Sequence, residues 1–93
     1  MKNAFNTAQA EAIAAEIGLD FADQRFDVDQ FRMGLEVELE HGDEDARTNV
    51  TGNDPAATGK IAWAHLNEFP DYYTRLADME AEAKEYWNSQ PLA

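Results

Sequence analysis

Cysteine is missing altogether from the 93-residue chain, so disulfides and thiolate redox or metal chemistry are excluded, and any metal must be held by nitrogen and oxygen. Long apolar runs are missing too. No stretch approaches the roughly 20 residues of a membrane-spanning helix, and the opening Met1 to Asn6 lacks the continuous apolar centre of a secretory signal. The expectation is a soluble, cytoplasmic protein, in which the Asn49-Val50-Thr51 triplet is an accident of composition and not a glycosylation site. Basic residues are scarce: 7 Lys and Arg stand against 19 Asp and Glu, for a net charge of -12. Such a surface repels nucleic acids and anionic membranes, so neither is an expected partner, and it attracts cations or a basic protein surface. Catalytic signatures are also lacking. There is no nucleophile elbow, no phosphate-cradling glycine loop, and no histidine with a recognisable serine or cysteine partner. Acid and base work by Glu38 and Glu68 is the one enzymatic option left, and paired carboxylates in so acidic a chain carry little information, so no reaction is assigned.

What is present is helical pattern. A chain of this length is one domain, residues 1–93, with residues 1–5 and 89–93 as frayed ends, and it has room for three or four helices. Asn6 with Gln9 three residues on resembles a capping box. Ala8, Ala12, Ile13 and Ile17 follow on one face, Glu16 adjoins that face and could turn partly inward, and Gly18 is placed as the stop. Leu19 and Phe21 anchor a connector. Asp27 and Gln30 then form a second capping box, with Phe26 stapled to Phe31. Phe31, Leu35, Glu38 and Leu39 continue helix two, and Gly42 is its expected left-handed end. The polar run 43–54 reads as a long loop that either crosses the bundle or has a job of its own. Asp54 and Pro55 open helix three through Ile61, Trp63, His65, Leu66 and Phe69. Within it Gly59, which costs about 1 kcal/mol relative to alanine, marks a close approach. Pro70 ends that helix and falls in the first turn of helix four, whose stripe of Tyr72, Tyr73, Leu76, Met79, Ala83, Tyr86 and Trp87 is expected to bury the largest aromatic area in the chain. The prediction is an all-α fold, a small bundle of three to four helices with a long loop between helices two and three.

The two histidines stand out in this frame. His41 lies three residues after Glu38, and His65 three residues before Glu68, so each pair can present an oxygen and a nitrogen from one helix face. Carboxylate-bridged di-iron bundles use this spacing on two helices. Glu38, His41, His65 and Glu68 are therefore candidate ligands for iron, manganese or zinc, with Glu16 and Glu80 as further carboxylates and Tyr72 or Tyr73 as supporting hydroxyls. Glu38 and His65 also fall on apolar stripes, where an unpaired polar group costs several kcal/mol. Metal is one way to satisfy them; a hydrogen-bonded Glu and His cluster is another. Geometry restrains the metal reading. In a plain antiparallel hairpin His41 would sit level with Pro55, and His65 would be about 15 Å further along the axis. A shared site needs helix three to run parallel to helix two or to cross it steeply.

Residues 31–42, 48–51 and 58–76, together with Met79 and Glu80, resemble a small bacterial and phage helical family described only as a protein of unknown function. The groups Glu40-His41-Gly42, His65 to Glu68 and Pro70 to Tyr73 carry the match, which covers about two thirds of the chain. The resemblance implies a compact helical domain and brings no activity. Two functional expectations follow: a metal-binding bundle, and an acidic module that occupies a basic surface on a partner protein. Trp63, Phe69 and Trp87 add a third, that of a homodimer, because a monomer of this size has little room to hide them.

Overall fold

Three of the four helices begin where a short polar side chain takes up a free backbone amide. The Asn6 side chain accepts from the Gln9 amide while the Gln9 side chain returns to the Asn6 amide. Asp27 accepts from Gln30 N, and Asp54 accepts from Ala57 N with Pro55 in the first turn. These caps open α1 (Thr7–Glu16), α2 (Val28–Glu44) and α3 (Pro55–Glu68). The last helix, α4 (Tyr72–Ser89), starts at Asp71 without such a bond. Short 3-10 turns lie at Phe21–Asp23 and Ala46–Thr48. The structure is a computed structural model describing residues 5–90, and it is the expected all-α bundle of four helices. Of the ends expected to fray, residues 1–4 and 91–93 lie outside the described residues; Phe5 packs against the core and α4 continues through Ser89.

Several local expectations change. Gly42 does not end helix two: it is buried inside α2, which continues to Glu44. The expected loop 43–54 is correspondingly shorter, and it is folded around a 3-10 turn. Asn49 organises its second half. Its carboxamide accepts from Gly52 N at 2.9 Å and donates to Asn53 at 2.9 Å, and Asn53 in turn donates to Asp43. Both Gly52 and Asn53 have positive φ, 60° and 65°, which glycine and asparagine tolerate best. The α1 face is also displaced. Ala10, Ile13 and Ala14 are buried, Ile17 is half-buried, and Ala8, Ala12 and Glu16 are exposed, so the core lies on the Ala10 and Ala14 side of the helix. Gly18 does close α1 with φ of 79°. The Gln30 side chain donates to Thr74 at 2.9 Å and does not complete the box with Asp27. Phe26 and Phe31 meet through Phe21, whose ring stands edge-on to both. Pro70 precedes α4 and lies outside its first turn.

Two glycines set the packing. A Cβ on Gly59 would come within 2.9 Å of Ile13 Cγ2 and 3.3 Å of the Phe31 ring, so α1 and α2 rest directly on α3 there. A Cβ on Gly34 would lie 2.5 Å from the Tyr73 ring and 2.9 Å from Ala62 Cβ, so α2, α3 and α4 converge where α2 has no side chain. Around that point Phe31 lies by Gly59 and Glu38 reaches His65. An antiparallel hairpin that begins with Asn53 beside Gly42 would put His65 opposite residue 30 or so. A parallel pair would put Asn53 near residue 26. Leu66 to Glu68 do share a hollow with Asp23 to Phe26, as the antiparallel case requires, so α3 runs back along α2 with their closest approach at Gly34 and Ala62, while the His65 side chain still reaches Glu38.

The direction of α4 follows from its contacts with α2: Gln30 to Thr74, Gly34 and Glu38 to Tyr73, and His41 to Glu80. Both helices therefore advance the same way, and α2 ends soon after His41. The rest of α4 has nothing beside it. Every residue from Ala77 to Gln90 is exposed, and the molecule measures 49 × 26 × 23 Å with a radius of gyration of 14.4 Å, against about 12 Å for a compact chain of this length. The stripe expected to bury the most aromatic area is thus covered only at Tyr73, and in part at Tyr72 and Leu76.

Candidate functional site

The polar residues of interest separate into one inner cluster and several outer positions. Inside, the apolar periodicity of α2 carries Glu38 to the contact between α2 and α3, that of α3 carries His65 there, and Tyr73 enters from α4. The Tyr73 hydroxyl is 2.8 Å from Glu38 Oε2, and His65 Nδ1 is 3.1 Å from both of those oxygens. A carboxylate can only accept, so the phenolic hydrogen goes to Glu38. His65 Nδ1 hydrogen-bonds to the Tyr73 oxygen, whose own hydrogen is committed to Glu38, so the proton sits on Nδ1 and is donated to the phenol oxygen beside the carboxylate. The imidazole is stacked on Tyr72, with centroids 4.6 Å apart and planes at 9°, and Tyr73 stands edge-on to it. Tyr73 is 1% exposed, whereas the Glu38 and His65 side chains retain 11% and 31%. Burial, and then the adjacent Glu38 carboxylate, push the Tyr73 phenol far above its ordinary value. It therefore remains a donor under all ordinary conditions.

Chemically, this triangle ties three helices through the Tyr73 hydroxyl, which accepts from His65 and donates to Glu38. Glu38 also lines a cleft of about 60 Å³ with His41, Gly42, Thr48, Val50, Thr51 and Ile61, room for a water or two and not for a substrate. His41 turns outward: its Nε2 pairs with Glu80 at 3.1 Å, both side chains about half exposed. Glu68 is exposed beside Asp23 to Phe26, Leu66, Asn67 and Pro70 around a separate hollow of about 290 Å³. The structure thus brings together Glu38 with His65, and His41 with Glu80, and it leaves Glu68 apart. No group of three or more His, Asp or Glu side chains among the described residues is placed to hold a metal ion. The four expected ligands do not converge, because α3 runs back along α2 and so carries Glu68 towards the start of α2, while His41 sits near its end.

The outer surface of α4 is the feature that sequence periodicity misplaced. Met79, Tyr86 and Trp87 are 58%, 54% and 68% exposed, on a stretch where Asp78, Glu80, Glu82 and Glu85 stand against Lys84 alone. At its base, Phe69, Tyr72, Arg75, Leu76 and Met79 line a groove of about 200 Å³ with almost wholly apolar walls. The Arg75 guanidinium lies 4.4 Å above the Phe69 ring and is held by Asp71 at 2.8 Å, which lowers the Asp71 carboxyl from its ordinary value. Of the three residues expected to be surplus on the surface, Phe69 and Trp87 are exposed and Trp63 packs partly against the core. Tyr72 and Tyr73 were legible as hydroxyls near the histidine. Gly34, Asn49 and Asn53 were not singled out, although a glycine inside an apolar helical stripe is the signal that could have found the first.

Among the described residues no helix is long and apolar enough to cross a membrane. No curated protein and no solved structure matches the chain. Residues 10–82 match the family model described as a protein of unknown function (DUF5661), and since that spans well over half of the sequence, the chain belongs to this family.

Proposed function

We propose that the chain is a protein-interaction module whose outer α4 docks on a basic, partly apolar surface of a partner protein. One observation carries this reading: large apolar side chains are presented in a row among carboxylates on the outer part of α4, from Ala77 on, where nothing is buried. Contiguous exposed apolar surface costs solubility and marks interfaces more often than it arises idly. Aromatic side chains contribute most of the energy at such contacts, while the carboxylates speed encounter with a basic partner and select against acidic ones. The inner cluster serves the same end by fixing the direction of α4, because a helix held at one end must be held rigidly to present its other end.

The test is capture on the immobilised chain at low and at high salt, identification of the retained protein, and reconstitution with that protein purified. The interaction should weaken with salt and should be lost with the double variant Tyr86→Ala, Trp87→Ala. A retained protein that binds this variant equally well would overturn the proposal.

A second reading, metal binding through Glu38, His41, His65 and Glu68, has one observation in its favour: Glu38 Oε2 and His65 Nδ1 come within 3.1 Å on different helices. These are two donors suited to iron, manganese or zinc, and the ion would have to displace the Nδ1 proton that points to the Tyr73 oxygen. Metal analysis of protein purified without chelator, with melts in added iron, manganese and zinc, tests it; unchanged melting and no bound metal would remove it.

A further inference from the structure

The apolar positions on α4 have a spacing that its interior contacts do not explain. Tyr72, Leu76, Met79, Ala83 and Tyr86 follow one another at intervals of four, three, four and three residues, the period of a coiled-coil seam. Only the first two are partly covered, and the other three are exposed. The seam extends about 21 Å at 1.5 Å per residue. The apolar groove of Phe69, Tyr72, Leu76 and Met79 is a hole at its start, and Ala83 leaves a notch further on. An extended strand, with side chains alternating every 3.3 Å or so, falls out of step with such a row, whereas another helix stays in register with it along the whole length.

We infer that the partner element is a basic amphipathic α-helix laid lengthwise along α4, with apolar residues at three-four spacing on the seam and Lys or Arg beside them. This rests on the interaction-module reading above and specifies what docks. One large apolar side chain of that helix fills the Phe69-Tyr72-Leu76-Met79 groove, others pack over Ala83 and beside Tyr86, and its cations face Glu82, which borders the seam, while Asp78 and Glu85 add to the field from further round α4. Glu80 is already engaged by His41 and Arg75 by Asp71, so the carboxylates left without a partner lie on the outer half of the helix. Charge favours a foreign helix over a second copy, since two copies would bring the same acidic stretch against itself in chains that each carry -12.

The experiment uses the full chain and three labelled synthetic peptides of about three heptads: one with Leu on the seam and Lys at the flanks, one with the same composition scrambled, and one with Glu at the flanks. Fluorescence anisotropy should show the Leu/Lys heptad peptide binding at least about tenfold tighter than the scrambled one, and the Glu-flanked peptide not binding. Met79→Asp and Ala83→Glu, both at exposed positions, should abolish that preference while circular dichroism stays unchanged. Equal binding of the heptad and scrambled peptides would overturn the helical partner and leave the basic-surface reading standing. Failure of all three at low salt would count against both. Sedimentation showing a wild-type dimer that Met79→Asp makes monomeric would overturn the foreign helix in favour of a second copy.

Discussion

The two halves of α4 are made from the same kinds of residue and meet opposite fates. In the first half Tyr73 packs into the bare backbone of Gly34 and gives its hydroxyl to Glu38. In the second half Tyr86 and Trp87 rest on each other, centroids 5.1 Å apart, and on little else. Helical period, aromatic content and charge do not distinguish the halves. What does is whether another helix runs alongside, and α2 stops a few residues after His41. A buried aromatic therefore says less about its own sequence than about the glycine opposite, and an exposed one says that its counterpart is not in this part of the molecule.

That contrast can be broken most forcefully at Gly34. Gly34→Ala places a methyl 2.5 Å from the Tyr73 ring and 2.9 Å from Ala62 Cβ. The gain in helix propensity, about 1 kcal/mol, is outweighed by overpacking at the upper end of its usual range, so a net loss of about 2 kcal/mol is expected. Thermal melts should fall by roughly 10 °C or more, and an unchanged melt would mean that the three-helix contact is looser than the distances imply.

Next in size is Tyr73→Phe, which keeps the ring and removes the donor to Glu38, at a cost of about 1 to 3 kcal/mol. This variant also tests the titration. In the fold the phenol is held protonated above its ordinary value of 10.0, so above that pH the unfolded chain releases a proton that the folded chain keeps. The group's contribution to stability is therefore complete below pH 10 and declines as pH climbs towards the higher folded value, at up to about 1.4 kcal/mol per unit. Urea midpoints should fall more steeply above about pH 10 for the wild type than for Tyr73→Phe; parallel curves would place the phenol in water.

A smaller loss, about 1 kcal/mol, is expected for Asn49→Ala, which frees the Gly52 amide and the Asn53 carboxamide at the turn behind Gly42. Chemical denaturation reads it directly. The least effect belongs to the outer helix. Met79→Ala and Trp87→Ala should each change stability by no more than about 0.5 kcal/mol, and a large loss in either would show that the outer half of α4 is packed after all. The comparison predicts this order, with variants on one helix spanning almost the full range according to what lies opposite.

Local readings from the sequence succeeded where a few neighbouring residues decide the outcome. The caps at Asn6, Asp27 and Asp54, the stop at Gly18 and the close approach at Gly59 all rest on interactions within one turn or on the cost of a bare backbone. Readings failed where two far segments decide. Gly42 looks like a cap because glycine commonly ends helices, yet it sits inside α2 because the Asn49 side chain needs the space a Cβ would occupy. The apolar stripes marked Glu38 and His65 as polar residues turned towards the interior, and the structure has both half-buried and hydrogen-bonded. The stripes could not say that Tyr73 joins them or that His41 turns to Glu80, because those pairings depend on the relative placement of three helices.

The sequence alone thus determined an all-α bundle of three to four helices, most of their beginnings, the acidic balance and the polar residues that had to be satisfied inside, since propensity, capping and desolvation act over short distances. Tertiary structure alone decided that α3 runs back along α2 with its closest approach at Gly34, that the Tyr73 hydroxyl links His65 to Glu38, and that α4 outruns its support. Each of those outcomes turns on which helix faces which, and an apolar stripe carries the demand to be covered without naming the surface that covers it.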